Sequence, residues 1–265
     1  MNTIAPLVAT FEPPSTKDFV WGCWGSGFKL FGQSFCFNFI LLLVVLGALL
    51  MVSFFYFGLR KPKTVPGKLQ SLNELGIQFV HENIGAPMLG SDTPRYMPLL
   101  ATLFFAIFFW NLFEVIPGFS FSSDSRLAIP LIMAIIAWVT YNAVGISKHG
   151  LFGYLKFVLI VDGAPWWLKY TILPLIEFVT VIVMRPITLS LRLTANFLAG
   201  HFLLAVFFLG TIALLQGGWI AVFAPFSFAM AIILVGFEIF VSGLQAFLFA
   251  ILTASYIGGA MAEEH

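Results

Sequence analysis

Several ionisable residues stand inside long apolar stretches in the C-terminal half of the chain: Glu177, Arg192, His201 and Glu238. A charged side chain at membrane depth costs at least ~2.5–3.5 kcal/mol, so such residues persist where they line water or meet a partner. Arg192 keeps its proton in practice and is therefore a fixed positive charge. The histidine and the glutamates can take up and release protons. Together these residue types predict ion transfer past a fixed cation.

The spacing of the polar residues predicts an antiparallel helical hairpin. The pairs Arg192–Gln245 and His201–Glu238 are both centred at the sequence QGGW, so one register places each residue opposite its partner. At 100° per residue, Arg192 and Asn196 share a helix face, whereas His201 lies 180° away from Arg192. We expect one face to meet a partner and the other to face the second helix or a water-filled cavity.

Each of these residues also has a structural interpretation. Arg192 could be an ion-pair partner inside the bundle, and His201 with Glu238 could form a purely structural hydrogen bond. Glu177 lies near an interface, as does Glu114 at the end of an earlier apolar stretch, so both could extend to the surface water. These alternatives stay open at the level of the residues.

The composition predicts a polytopic membrane protein. Of 265 residues, 60% are hydrophobic and 9% are charged, which leaves less polar surface than a soluble domain of this length needs. The net charge of +1 gives no indication of nucleic-acid binding. The two cysteines form no CxxC pair, and there is no metal-ligand cluster, phosphate-binding loop or nucleophile elbow. We therefore expect no cofactor and no metal.

Apolar stretches of about 20 residues predict membrane spans at 35–59, 96–118 and 127–146. Between the first two, apolar residues recur with helical spacing from 69 to 80, which favours an amphipathic helix at the interface over a short soluble helix. A second interfacial segment is predicted at 151–169.

The last two apolar stretches, 170–216 and 219–258, exceed one bilayer thickness. The first must either break near Pro174 or Pro186 or run strongly tilted. The predicted fold is thus an all-α polytopic membrane protein. It has one N-terminal span, an interfacial amphipathic helix, two further spans and a long tilted antiparallel hairpin.

The distribution of basic residues predicts the orientation. Lysines and arginines follow the first and third spans, whereas the loop after the second holds only Asp124 and Arg126. The positive-inside rule then places the N-terminus outside and the C-terminus in the cytoplasm. Arg185, near the inner surface, is expected to extend to the interface. We expect an extracytoplasmic segment at 1–34, a membrane domain at 35–258 and a cytoplasmic tail at 259–265. Because no transit peptide is visible, the expected location is the cell membrane of a bacterium, and an organelle-encoded copy is the alternative.

Four motifs resemble one known family. The stretch RPITLSLRLTANFLAGH (185–201) closely resembles the signature of subunit a of F-type ATP synthases. The stretches FEIFVSGLQAFLFAILTASYI (237–257), NLFEVIPG (111–118) and VPGKLQSLNE (65–74) are similar to other parts of that family. The resemblance covers residues 40–258 and leaves the N-terminal 35 residues unmatched.

The resemblance implies a stator subunit, with no catalysis of its own, that forms two half-channels beside a rotating ring of c subunits. Its implied partners are the c-ring, the b-type subunits of the peripheral stalk, the remaining ATP synthase subunits and membrane lipid. The family's sealing arginine falls on Arg192. Its other proton-path positions fall on the following residues: Glu114, Glu177, Asn196, His201, Glu238 and Gln245.

The rival interpretation is a stand-alone secondary transporter or channel. Such proteins often contain internal repeats and broken helices at mid-membrane, and no repeat is visible in this sequence. An intramembrane enzyme is disfavoured because the chain lacks a Ser/His, paired-Asp or HExxH constellation. Proton and sodium both remain open as the transported ion.

Overall fold

The computed structural model describes residues 24–30, 33–37, 39–60, 62–115, 128–159, 172–216 and 218–262. Its first described feature is an antiparallel β-hairpin formed by strands β1 (Trp24–Leu30) and β2 (Gln33–Phe37), in which Leu30 pairs with Gln33. The sequence analysis did not anticipate this hairpin. Residues 35–37, which it placed in the first span, belong to β2, and the first helix begins at Phe39.

From Phe39 to Met261 the described chain is helical apart from short connections. The helices are α1 (Phe39–Leu59), α2 (Lys68–Val80), α3 (Ala86–Leu89), α4 (Thr93–Val115), α5 (Ala128–Leu159), α6 (Leu173–Val179), α7 (Arg185–Leu215) and α8 (Ala224–Met261). A wide π-turn at His81–Gly85 joins α2 to α3, and a second at Thr180–Met184 joins α6 to α7. Two 3₁₀ turns lie at Gly90–Asp92 and Gly218–Phe223. Among the described residues, five helical stretches are long and apolar enough to cross a membrane: 41–59, 68–112, 129–156, 173–215 and 220–261.

Helix α2 turns Gln70, Asn73 and Val80 towards the bundle and several of its leucines away from it. Asn73 is fully buried, and its Nδ2 donates to the carbonyl oxygens of Phe54 on α1 at 3.2 Å and Leu69 at 2.9 Å. Leu72 and Leu75 on the other face are 55% and 63% exposed. The helix predicted from the apolar pattern between residues 69 and 80 is thus present as α2. Its exposed apolar face can contact lipid.

A left-handed glycine divides α5. Gly150 has φ 72° and ψ 165°, a conformation that side chains disfavour, and it separates residues 128–149 from 151–159. The third span was predicted to end at residue 146, and the kink lies four residues later. The predicted interfacial segment 151–169 begins there and continues into residues outside the described ranges.

Helix α8 is the centre of the bundle, since it packs against α4, α5 and α7. Ala246, Ala250 and Ala254 on α8 are fully buried, and such small residues let neighbouring helix backbones approach closely. Phenylalanines of α1 and α4 fill the space beyond, with Phe55 and Phe105 edge to face at 4.8 Å between ring centroids. These phenylalanines belong to the packing of the bundle.

Within its described residues, 172–216, the long apolar stretch does not break at its prolines. Pro174 lies in the first turn of α6, and Pro186 directly follows the π-turn at Thr180–Met184. The helical stretch runs for 43 residues, from Leu173 to Leu215. At 1.5 Å per residue this is about 64 Å, roughly twice the hydrocarbon thickness of a bilayer.

Candidate functional site

Arg192 lies on the outer surface of the bundle near the middle of α7. Its side chain is exposed, as is that of Leu191 beside it. The face anchored in the bundle lies about 100° around the helix from Arg192. It carries Leu189, Leu193 and Phe197, which are 4%, 1% and 1% exposed. This arrangement points the guanidinium away from the bundle interior, in contrast to the alternative of a buried ion-pair partner.

One cavity lies between α7 and α8 on the side of Arg192 that leads to the 216–223 turn. We call it the Glu238 cavity; it holds about 230 Å³ and is lined by residues between Asn196 and Leu203 on α7 and between Phe237 and Ser242 on α8. Asn196 and Glu238 therefore share one space. Gly200 also lines the cavity, and its lack of a side chain leaves room there.

Glu238 is the buried carboxylate of this cavity. The residue is 7% exposed, and neither Oε1 nor Oε2 has a hydrogen-bond partner among the described residues. A buried carboxyl group without a partner is unfavourable, so water or a further side chain must satisfy it. At ~30 Å³ per molecule, a cavity of 230 Å³ has room for about seven waters.

A second cavity lies on the other side of Arg192, near the C-terminal end of α8. We call it the Glu177 cavity; it holds about 420 Å³, and its polar lining includes Glu177, Arg185, Tyr154, Ser255 and Tyr256. Glu177 is half-buried at the end of α6, and Arg185 is half-buried at the start of α7. A carboxylate and a guanidinium thus face the same space, which suits the passage of a proton or a small ion.

Aromatic rings fix the position of Arg185. Its guanidinium carbon lies 4.7 Å from the ring centroid of Tyr256 on α8 and 5.8 Å from that of Tyr141 on α5, both within cation–π range. Arg185 therefore lines the cavity. Its position in the sequence had predicted only that its side chain extends to the interface.

The structure describes the remaining predicted site residues to different extents. Gln245 on α8 is 5% exposed and lies in the bundle. The backbone of His201 lies in α7 and that of Glu114 in the last turns of α4, while both side chains lie outside the described ones. The pairing of His201 with Glu238 therefore stays a prediction, although Gly200, next to His201, lines the same cavity as Glu238.

The sequence analysis missed Arg185, Tyr154 and Tyr256 as cavity-lining residues. Glu177 and Arg185 are eight residues apart, which is 80° around a regular α-helix, so spacing alone gave no reason to place them in one cavity. The tyrosines come from helices distant in sequence. A tyrosine inside an apolar span was the available signal, because its hydroxyl needs a polar neighbour.

Comparison with known proteins agrees with the motifs. The family model described as ATP synthase A chain matches residues 40–258. A protein of Nocardioides sp. named ATP synthase subunit a is 39% identical over 96% of this chain and 95% of its own length. A protein of the same name from Rhodococcus erythropolis is 39% identical over 85% of this chain and 83% of its own length. Another, from Streptomyces lividans, is 40% identical over 86% of this chain and 81% of its own length.

The match reaches from α1 to α8 and includes the Glu238 cavity, the exposed arginine and all but two of the residues that line the Glu177 cavity. With five apolar helical stretches among its described residues, this chain belongs to the ATP synthase A chain family, the multi-pass membrane subunit that serves proton transport in ATP synthesis.

Proposed function

We propose that this chain is the stator subunit that forms two aqueous half-channels against a rotating ring of c subunits, with Arg192 as the barrier between them. The supporting observation is that Arg192 is exposed on α7 between the two cavities. Along the helix axis it lies about 6 Å from Asn196, in the Glu238 cavity, and about 10 Å from Arg185, in the Glu177 cavity.

In this proposal a proton enters from the outer side through Glu114 and His201 to Glu238, and passes from there to a carboxylate of the ring. Arg192 holds an arriving ring carboxylate in its ionised form, because an adjacent fixed cation favours the anion. After nearly a full rotation the proton leaves inward past Glu177. Asn196 and Gln245 contribute polar groups close to the transfer point.

The barrier matters because the driving force is modest. Each charge that crosses the membrane delivers ~2.3 kcal/mol per 100 mV of membrane potential. Several charges must cross in a coupled way for each ATP, so a leak between the cavities would dissipate the gradient. A permanently charged guanidinium suits this barrier, because it cannot itself pass a proton on.

The proposed surroundings follow from the same arrangement. The c-ring lies against the exposed face of α7 that carries Arg192, the b-type subunits of the peripheral stalk bind elsewhere on the bundle, and lipid covers the remaining apolar surface. The protein lies in the cell membrane with its N-terminus outside and its C-terminus in the cytoplasm, as the distribution of basic residues indicates.

The test uses inverted membrane vesicles that carry the complete ATP synthase with Arg192→Ala. We expect ATP-driven proton pumping to be lost, and passive leak to be retained or raised once the catalytic head has been stripped off. Arg60→Ala is a matched control, since Arg60 is an exposed cation that stacks on Tyr56 away from both cavities. Normal pumping by the Arg192→Ala complex would refute the proposal.

The pairing of His201 with Glu238 has a separate test. The double exchange His201→Glu with Glu238→His keeps one imidazole and one carboxyl group at the site. We expect it to retain more pumping than either single exchange. A double variant no better than the worse single one would show that the two residues do not face each other.

A further inference from the structure

The helix that carries Arg192 contains a widened turn just before Pro186. In Thr180–Met184 the backbone adopts the π conformation, and the Arg185 N–H donates to the carbonyl oxygen of Thr180, five residues back. In a regular α-helix this N–H would bond to Val181, four residues back. The turn thus contains one residue more than the α-helix around it.

The widened turn leaves the carbonyl oxygen of Val181 without a donor from its own helix. Its α-helical donor, the Arg185 N–H, is engaged by Thr180, and its π-helical donor would be Pro186, which has no N–H. At membrane depth an unsatisfied carbonyl costs several kcal/mol. Such an oxygen requires a donor from another helix.

Helix α5 supplies two donors to this one oxygen. The hydroxyl of Tyr141 donates to it at 2.8 Å, and Nε1 of Trp138 donates to it at 3.1 Å. Tyr141 is 2% exposed and Val181 is 3% exposed, so water does not compete for the bonds. A carbonyl has two lone pairs, and both are used here.

The extra residue determines where Glu177 points. Eight residues separate Glu177 from Arg185, which corresponds to 80° in a regular α-helix at 100° per residue. When the π-turn absorbs one residue, the effective separation is seven residues, or about 20°. The two side chains then share a face, in agreement with their place in one cavity.

We propose that the widened turn, held by Tyr141 and Trp138, sets the angular position of Glu177 and so places its carboxyl group in the inner half-channel. Tyr141 and Trp138 are positioning residues of the proton path. Tyr141 also lies against the guanidinium of Arg185, so the same side chain fixes both polar walls of the Glu177 cavity. This inference rests on the proposed role of Glu177 in proton exit.

Deletion and insertion at one position test the inference. Deletion of Ile182, an exposed residue of the turn, leaves Arg185 four residues after Thr180, so their hydrogen bond becomes an α-helical one and Glu177 keeps its direction. Insertion of one alanine after Ile182 instead turns Glu177 by about 100° and moves Phe178 into its place. We expect the complex to pump protons after the deletion and not after the insertion.

Thiol labelling reads the position of the residue independently of transport. In the complete complex with Cys23→Ser and Cys36→Ser, Glu177→Cys is exposed to a membrane-impermeant methanethiosulfonate on the face that carries the catalytic head. We expect its labelling rate to stay within about twofold after the deletion and to fall at least about tenfold after the insertion. The labelling rate of Phe178→Cys should rise after the insertion, because the insertion moves this position into the cavity.

Unequal effects of the two length changes support the inference. The inference is overturned by a deletion that abolishes assembly, or by one that slows labelling of Glu177→Cys as much as the insertion does. It is also overturned by an insertion that leaves the labelling rate unchanged. Should the insertion prevent assembly, the deletion decides alone. Full pumping by Glu177→Gln would contradict only the proposed role of Glu177, because the labelling pattern does not depend on that role.

The donors are tested by Tyr141→Phe together with Trp138→Phe, which removes both hydrogen bonds and keeps two aromatic rings. We expect Glu177→Cys to be labelled at least about tenfold more slowly in this background, since the carbonyl of Val181 then favours another turn geometry. The control is Thr140→Val, whose hydroxyl bonds only within its own helix, to Ile136 at 2.8 Å. Unchanged labelling in the double variant would remove the positioning role.

Discussion

Filling the Glu238 cavity is expected to stop proton entry while leaving the fold intact. Gly200→Leu adds four carbon atoms to a space of about 230 Å³, which displaces about four of the roughly seven waters that fit there. Both oxygens of Glu238 lack a hydrogen-bond partner among the described residues, so these waters are candidate partners for the carboxyl group. Loss of one hydrogen bond at a buried group costs about 1–3 kcal/mol.

A penalty of that size predicts a large effect on rate. Since about 1.4 kcal/mol corresponds to a factor of ten, ATP-driven pumping should fall by about fivefold to about 150-fold in inverted vesicles. If Arg192→Ala opens a leak through both cavities, adding Gly200→Leu should reduce that leak as well. The two measurements separate a blocked entry path from a damaged motor.

The control for this prediction is Gly236→Leu, a change of the same size on α8. A Cβ added at Gly236 meets nothing within 4 Å in this chain, and Gly236 does not line either of the two cavities. The amount of assembled complex should match the wild type in both variants. If Gly200→Leu assembles and pumps at the normal rate, the Glu238 cavity is not the route by which protons reach Glu238.

Three further predictions concern the packing that supports the site. Gly258→Ala should lower the thermal stability of the assembled complex by about 1–3 kcal/mol, because its Cβ would lie 2.5 Å from the Met88 carbonyl oxygen. At Gly259 an added Cβ meets nothing within 4 Å, so Gly259→Ala should be neutral. Asn73→Ala should release α2 from α1 and speed proteolysis of the connecting residues 60–67, and an unchanged cleavage rate would refute that anchoring role. Trp110→Phe removes one hydrogen bond from α4 to α1 at 3.2 Å and should cost about 1 kcal/mol in thermal denaturation; a larger loss would point to a wider packing role.

Much of the helical architecture could be predicted because lipid imposes strict requirements on length and polarity. The apolar runs predicted the membrane helices, and the described part of the chain has five helical stretches that meet the requirement. The end of the third span at residue 146 was predicted from the apolar run, and α5 is divided four residues later, at Gly150. These features depend on neighbouring residues, so periodicity and composition are sufficient to find them.

The features that the sequence did not reveal depend on partners far along the chain. The π-turn at Thr180–Met184 depends on donors 40 and 43 residues earlier, Tyr141 and Trp138. A helical pattern assumes 100° per residue throughout, so a single absorbed residue changes which side chains share a face. For that reason Glu177 and Arg185 were not placed together.

The burial behind Arg192 has a mechanical consequence. In the proposed motor a turning ring pulls on this guanidinium each time a carboxylate passes, and the stator must not yield. Leu189 and Leu193 lie in one buried cluster with Ala137 of α5 and Phe249 of α8. Close-packed side chains resist compression. The same cluster includes Ile107 of α4. A lateral force on Arg192 is thus spread over four helices, so the stiffness of the motor depends on small and apolar residues that never meet a proton.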